Sequence, residues 1–217
     1  MIIWSQRHGI IAYMAADLTT ILVATGNEGK VRELAGLLRE VPVTLRSLAD
    51  FPSVREVDET GSTFLENACL KAAGYSAQTG LPALADDSGL EVKVLGGAPG
   101  VHSARFAGES TTYAEKMDEL LSQLEKNGST DRRARFACSM VLSDADGRII
   151  TTSEGFCEGT LAGSPRGSNG FGYDPIFIPD GYELTFGQLP DSVKSSLSHR
   201  ARASAGIIRY LLDFIVV

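Results

Sequence analysis

Ile21-Leu22-Val23-Ala24-Thr25 is a short apolar, β-prone run that leads straight into Gly26-Asn27-Glu28-Gly29-Lys30. Beyond it, Val31, Leu34, Leu37 and Leu38 share one face of a helix, leaving Lys30, Arg32, Glu33 and Arg39 for the other. A strand, a glycine loop and a helix in that order open an α/β domain. Residues 41–47 read as the returning second strand.

Further along, Thr63 and Glu66 have capping-box spacing, which predicts a helix to about Thr79 with Gly80 as its stop. Leu84-Ala85 begins a buried strand that is expected to end at Asp86-Asp87-Ser88-Gly89, with 90–95 continuing as extended chain before Gly96-Gly97-Ala98-Pro99-Gly100. Thr112 and Glu115 repeat the capping box, and Met117, Leu120, Leu121 and Leu124 make a helical stripe closed by Asn127-Gly128. From Ala134 the texture is β. Residues 135–142 and 148–152 read as strands joined around Asp146-Gly147, a hairpin signal, with 156–161 and 176–178 as further strands. A last helix starts near His199 and is expected to bury Ile207, Ile208, Leu211 and Leu212. This order predicts a mixed sheet rather than a parallel one.

The 217 residues suit one large domain or two joined lobes. With 20 basic and 27 acidic residues the net charge is −7, which argues against a broad nucleic-acid footprint but leaves room for one small anionic ligand. Cys69, Cys138 and Cys157 are odd in number and widely spaced, a pattern of reduced thiols in a cytoplasmic protein. No apolar run approaches a membrane span, so a soluble protein without a membrane partner is expected. Residues 1–17 read as an extension that makes a poor secretory signal, and the functional chain is expected to begin near Met14. Residues 18–217 are then a single two-lobed domain.

Four clusters can carry chemistry. Gly26, Gly29 and Lys30 can hold a phosphate through amide groups at a helix start and one full charge. A Walker A loop is excluded, because its first Gly would fall at Ala24 and its Ser/Thr at Val31. A tight turn with a solvated lysine remains an alternative. Asp58-Glu59 precedes a helix and reads as caps or as metal ligands. Asp86-Asp87 concentrates like charge that a cation would offset, so a hard oxygen site for Mg²⁺ completed by substrate phosphates is the economical reading, with Asp87 able to take a proton from water. In Ser168-Asn169-Gly170-Phe171-Gly172-Tyr173-Asp174-Pro175, Phe171 or Tyr173 can stack on a base and Asp174 can accept from a ring N–H, unless the aromatics simply fill the core. Lys194 and Arg200, with Ser198 and His199, can meet phosphate or a base carbonyl.

In this order the sequence closely resembles the inosine-triphosphate pyrophosphatase family. The matching segments are Thr25–Lys30, Glu59-Thr60-Gly61 with Phe64, Glu66-Asn67-Ala68, Leu70-Lys71-Ala72 and Ala85-Asp86-Asp87-Ser88-Gly89-Leu90. They continue through Gly96–Gly100 with Ser103-Ala104-Arg105, Phe171–Pro175 and Ser198-His199-Arg200, so the likeness covers about residues 20–213.

The resemblance implies a long mixed β-sheet with flanking helices forming two lobes around a central cleft, and a homodimer. It implies that Thr25, Gly26, Asn27, Glu28, Gly29 and Lys30 hold the triphosphate. Asp87 is then the metal-linked general base, with Glu59 or Asp58 as a further metal carboxylate and Lys71 meeting the phosphates. Ser88, Phe171, Gly172, Tyr173, Asp174, Lys194, His199 and Arg200 correspond to substrate-binding positions. The implied reaction is Mg²⁺-assisted attack of water on the α-phosphorus of ITP, dITP or XTP, giving the monophosphate and pyrophosphate. A nucleotide sensor, and a phosphatase or kinase on the same loop, are the rival readings.

Overall fold

The computed structural model describes residues 18–108 and 110–215, so the expected extension and start near Met14 lie outside the described residues. β1 (Thr20–Val23) gives way to α1 (Glu28–Leu37), which starts where the Asn27 side chain accepts the Lys30 amide at 3.1 Å. Glu28 sits in its first turn, where a negative charge favours the helix dipole. Leu34 and Leu38 are buried and Val31 and Leu37 half-buried, the face that the spacing predicts. β2 (Thr44–Ser47) is shorter than the expected 41–47 and pairs in parallel with β1, Thr20 opposite Thr44.

α2 (Phe64–Thr79) has the expected capping box, and Gly80 ends it in the left-handed conformation at φ +66°. β3 (Ala83–Val92) pairs in parallel with β1. Here the structure corrects the sequence reading: the strand does not end at residues 86–89 but runs through them, so Asp86-Asp87 lies mid-strand. The glycine at 89 is there for close approach, not for a turn. A Cβ on Gly89 would overlap the Gly100 carbonyl and the Ser103 hydroxyl, so the 96–103 loop lies directly against the strand.

α3 (Tyr113–Asn127) buries Met117, Leu120, Leu121 and Leu124 as expected. Each fully buried leucine contributes roughly 1.5–3 kcal/mol. β4 (Arg133–Ser143) and β5 (Ile149–Leu161) are joined by a turn in which the Asp144 amide donates to Arg148 O and Gly147 adopts φ +83°. The two strand segments expected at 148–152 and 156–161 are one continuous strand. β6 (Phe177–Pro179) pairs antiparallel with β5. The six strands lie in the order β2-β1-β3-β4-β5-β6, a mixed sheet.

α4 (Asp191–Leu197) has no counterpart in the sequence reading, being only two turns long. α5 (His199–Ile215) follows it. Its buried face is Ala203, Ile207 and Leu211; Ile208 is half-buried and Leu212 is 39% exposed, so the expected apolar face is rotated. Residues four apart lie on one stripe, and the stripe runs through the small Ala203, which apolar size alone does not pick out.

The chain forms two compact units. One runs up to Asp86 and takes in Ser139–Ser153 and the chain from Ala203 onward. Its core gathers Ala24, Ala68, Ala72, Ala83 and Ala85 around Leu22, Tyr75 and Val141. Side chains this small let α2 lie close to the strands. The other unit comprises Asp87–Cys138 and Glu154–Arg202, with a core of Leu90, Val92, the α3 stripe, Phe136, Phe177 and Phe186. Cys69, Cys138 and Cys157 are free thiols, and no described helix is long and apolar enough to cross a membrane.

Candidate active site

In the first unit, the glycine loop and β3 are brought together by sheet pairing. The Ala24 amide donates to the Leu84 carbonyl at 2.8 Å, which sets Thr25 and its loop beside the Ala85-Asp86 step. Thr25 Oγ1 accepts the Asn27 amide at 3.2 Å, and Asn27 in turn caps α1. Lys30 Nζ then reaches Asp86 Oδ2 at 3.2 Å and the Asp86 carbonyl at 3.4 Å. Lys30 is therefore not a solvated lysine. Its side chain is 12% exposed and that of Asp86 is 0%.

Gly26 supplies a second observation. Its φ lies outside the left-handed region and no described atom lies within 4 Å of where its Cβ would stand. Neither backbone conformation nor packing calls for glycine at this position. What the missing side chain leaves is open access to the loop backbone at the start of a helix, the property a phosphate cradle needs.

The α2 side of this unit adds two more charges. Ala68 and Ala72 pack in the same cluster as Ala24, Ala83 and Ala85, so the helix covers the β3 face that carries Ala83 and Ala85, opposite the one from which the Asp86 side chain leaves. Lys71, buried on α2, places Nζ 3.2 Å from Glu59 Oε2. Asp58 is exposed, whereas Glu59 is half-buried and faces the lysine. The oxygens of Asp86 and Glu59 are hard donors, and the described residues contain no group of three or more His, Cys, Asp or Glu side chains placed to cage a metal. Mg²⁺ is commonly bound through one or two carboxylates with water and substrate phosphate filling the remaining positions, and a carboxylate of either kind has the right chemistry for it.

Asp87 is buried and follows Asp86 on β3, so the two side chains leave the strand on opposite faces. The acidic pair is thus divided rather than a single cluster. The ion pair of Asp86 with Lys30 spans 56 residues; the pattern of the sequence put Asp86 and Asp87 in one hard oxygen site, and the resemblance assigned only Asp87, Glu59 and Asp58 to the metal.

The second unit holds the remaining expected residues. Asp174 is buried, forms a short ion pair with Lys194 Nζ and accepts the Phe171 amide at 2.7 Å. Gly170, at φ +72°, leaves room for that carboxylate, which a Cβ would overlap. Gly172 likewise has φ +67° and lies against Tyr113. Lys194 Nζ stands 4.5 Å from the centre of the Phe171 ring and Arg200 Cζ 5.7 Å from it, a cation–π arrangement on an aromatic that is half-buried. Arg200, only 1% exposed, donates to Ser88 Oγ at 2.7 Å. His199 is buried as well, its ring stacked on Phe136 with centroids 4.7 Å apart. Ser198 Oγ accepts the Ala201 amide and so starts α5.

Tyr173 turns the other way. It is 3% exposed within the core, meets Tyr113 edge-on at 5.5 Å, and donates its hydroxyl to the Ser103 carbonyl at 3.0 Å. Burial pushes its phenol well above the usual tyrosine range. Burial, followed by the charge of Asp174, also raises Tyr113. Of the two aromatics that could stack on a base, Phe171 is the one with an accessible face.

A model of the Ham1 family matches residues 21–210. The chain is 47% identical over 188 residues to a dITP/XTP pyrophosphatase of Geobacter sulfurreducens, covering 87% of this chain and 94% of that protein. It is 49% identical over 183 residues to a dITP/XTP pyrophosphatase of Syntrophobacter fumaroxidans, covering 84% of this chain and 78% of that one. Among solved structures, a HAM1 protein from Coxiella burnetii aligns with a TM-score of 0.82 at 41% identity, over 89% of this chain and 98% of that chain.

Proposed function

This chain belongs to the Ham1 family, and from that premise we propose that it hydrolyses the deaminated purine nucleoside triphosphates ITP, dITP and XTP to monophosphate and pyrophosphate. It is a nucleoside triphosphate pyrophosphatase, a hydrolase of acid anhydrides. The observation that carries the residue-level reading is the Lys30–Asp86 pair beside the open backbone of Gly26.

The Thr25–Lys30 loop receives the triphosphate on amide groups at the start of α1. Lys30 and Lys71 turn from their carboxylates to the phosphate oxygens, stabilising the departing pyrophosphate as its charge grows. That exchange frees the Glu59 carboxylate for Mg²⁺, with the exposed Asp58 as its alternative and Asp87 as the other carboxylate that the family resemblance assigns to the metal. Bound there, the ion supplies Lewis-acid neutralisation of phosphate charge. Asp87 takes a proton from the attacking water as general base.

Base selection falls to the second unit. Phe171 stacks on the purine, and Lys194 and Arg200 donate toward a 6-oxo group, which a 6-amino group cannot accept. A mismatch of this kind leaves a buried donor unsatisfied and is costly to binding. Asp174 holds Lys194 and the Phe171 amide in place. Ser88 and His199 complete this surround, Ser88 through its bond with Arg200. Tyr173 supports the loop from within the core.

Three free thiols support a cytoplasmic setting, and the net charge of −7 supports a small-molecule substrate rather than nucleic acid. The homodimer rests on the family resemblance. Incubation with ITP, XTP, dITP, GTP and ATP in the presence of Mg²⁺, with product identification, tests the reading. Pyrophosphate with IMP and XMP is expected, and release of orthophosphate overturns it.

A further inference from the structure

The loop that carries Glu59 is held to α2 by three consecutive amides. Gly61 N–H donates to Asn67 Oδ1 at 2.8 Å, while Ser62 N–H and Thr63 N–H donate to Glu66 Oε2 at 2.7 and 3.2 Å. The Thr63–Glu66 bond belongs to the capping box that starts the helix, and the Ser62 amide adds to it from the residue before the cap. The Asn67 bond needs a different explanation. Asn67 lies beyond the capping positions, is 0% exposed, and is a weaker helix former than leucine or alanine. Burying its amide is unfavourable unless it is hydrogen-bonded.

Gly61 is shaped to receive that side chain. A Cβ at this position would stand 2.7 Å from Asn67 Oδ1 and 2.7 Å from Glu66 Cβ. Two residues earlier, Glu59 meets Lys71, which lies one helical turn beyond Asn67. The loop is thus tied to α2 at two points of different character. The Glu59–Lys71 tie is an ion pair that the arriving triphosphate breaks. The Gly61–Asn67 tie runs from a backbone amide to an uncharged side-chain oxygen, so the movement of Lys71 to phosphate does not break it.

We propose that Asn67 is a positioning residue that holds the Glu59 carboxylate in place for the metal once Lys71 has turned to phosphate. This rests on Glu59 being a metal ligand, as read above. Partners that orient a ligand from behind commonly change metal affinity by roughly 10–100-fold when removed.

The test titrates Mn²⁺ into the full chain saturated with an α,β-methylene analogue of ITP, following free Mn²⁺ by electron paramagnetic resonance, with thermal unfolding measured alongside. Asn67→Leu is expected to weaken Mn²⁺ binding by roughly tenfold or more. Gly61→Ala, which displaces the loop from the opposite side, is expected to do the same with Asn67 intact. The double variant is expected to lose little beyond the larger single effect, because both break one contact. Lower thermal stability with unchanged Mn²⁺ affinity in both singles overturns the proposal. If Asn67→Leu does not fold, unchanged affinity in Gly61→Ala overturns it alone. Absence of Mn²⁺ binding in the unaltered chain overturns the metal reading itself, a result distinct from normal binding that the variants leave untouched.

Discussion

Lys30 Nζ lies 3.2 Å from Asp86 Oδ2 and 3.4 Å from the carbonyl oxygen of the same residue, joining the glycine loop to the middle of β3. An ion pair this buried carries a desolvation cost, so its presence is weak evidence of net stabilisation. Its value lies in keeping a cation and a carboxylate ready at one place.

Removal of only one partner is a different matter. Lys30→Met leaves the buried Asp86 charge short of its cation and is expected to cost about 3–5 kcal/mol. The double variant Lys30→Met with Asp86→Asn is expected to recover much of that loss. Urea unfolding at neutral pH checks both, and equal stability of the single and double variants would contradict the pairing.

Gly26→Ala separates the phosphate cradle from a simple tight turn. With no left-handed φ and open space around the added methyl, stability is expected to stay level or rise by about 0.4–1 kcal/mol. Catalytic efficiency toward ITP is expected to fall, since the methyl stands where phosphate meets the backbone. Unchanged kcat/KM would favour the turn.

Asp87→Asn is expected to lower kcat by roughly 10²–10⁴-fold with the fold intact, the scale of general-base catalysis. Lys71→Ala is expected to reduce kcat by about 10²-fold or more through lost charge stabilisation. Steady-state kinetics with circular dichroism distinguishes these losses from unfolding. An effect of Lys71→Ala confined to the thermal midpoint would restore a structural role for that residue.

The capping box of α2 makes a pH prediction. Hydrogen bonds from the Ser62 hydroxyl and then the Ser62 amide, with Thr63 adding to them, lower Glu66 below its ordinary 4.5. A carboxylate with a depressed folded pKa contributes stability that is fully present above 4.5 and lost as pH falls through the lower, folded value. Glu66→Gln, which lacks the charge at every pH, is therefore expected to lower the neutral plateau of a plot of thermal midpoint against pH and so flatten its acid limb, converging on the unaltered chain at low pH. An unaltered acid limb would remove Glu66 from that role.

Much of this molecule was legible in its local patterns. Both capping boxes, the hairpin around Asp146-Gly147 and the Leu120–Leu124 stripe follow from spacing alone, because each depends on residues within a few positions of one another, and the order of elements pointed to the mixed sheet. What spacing could not supply was the direction of side chains whose partners lie far along the chain. Gly89 looked like a strand end, but it is a strand interior pressed by Gly100 and Ser103. Tyr173 could have faced a base, yet its hydroxyl is committed to Ser103, 70 residues away. Asp86 finds Lys30 only because β1 and β3 pair in a particular register. Sequence determined which elements form and which chemical groups they carry, since helix and strand preferences act over a few residues. Tertiary structure alone decided which of those groups meet, because register and close packing are properties of the assembled sheet.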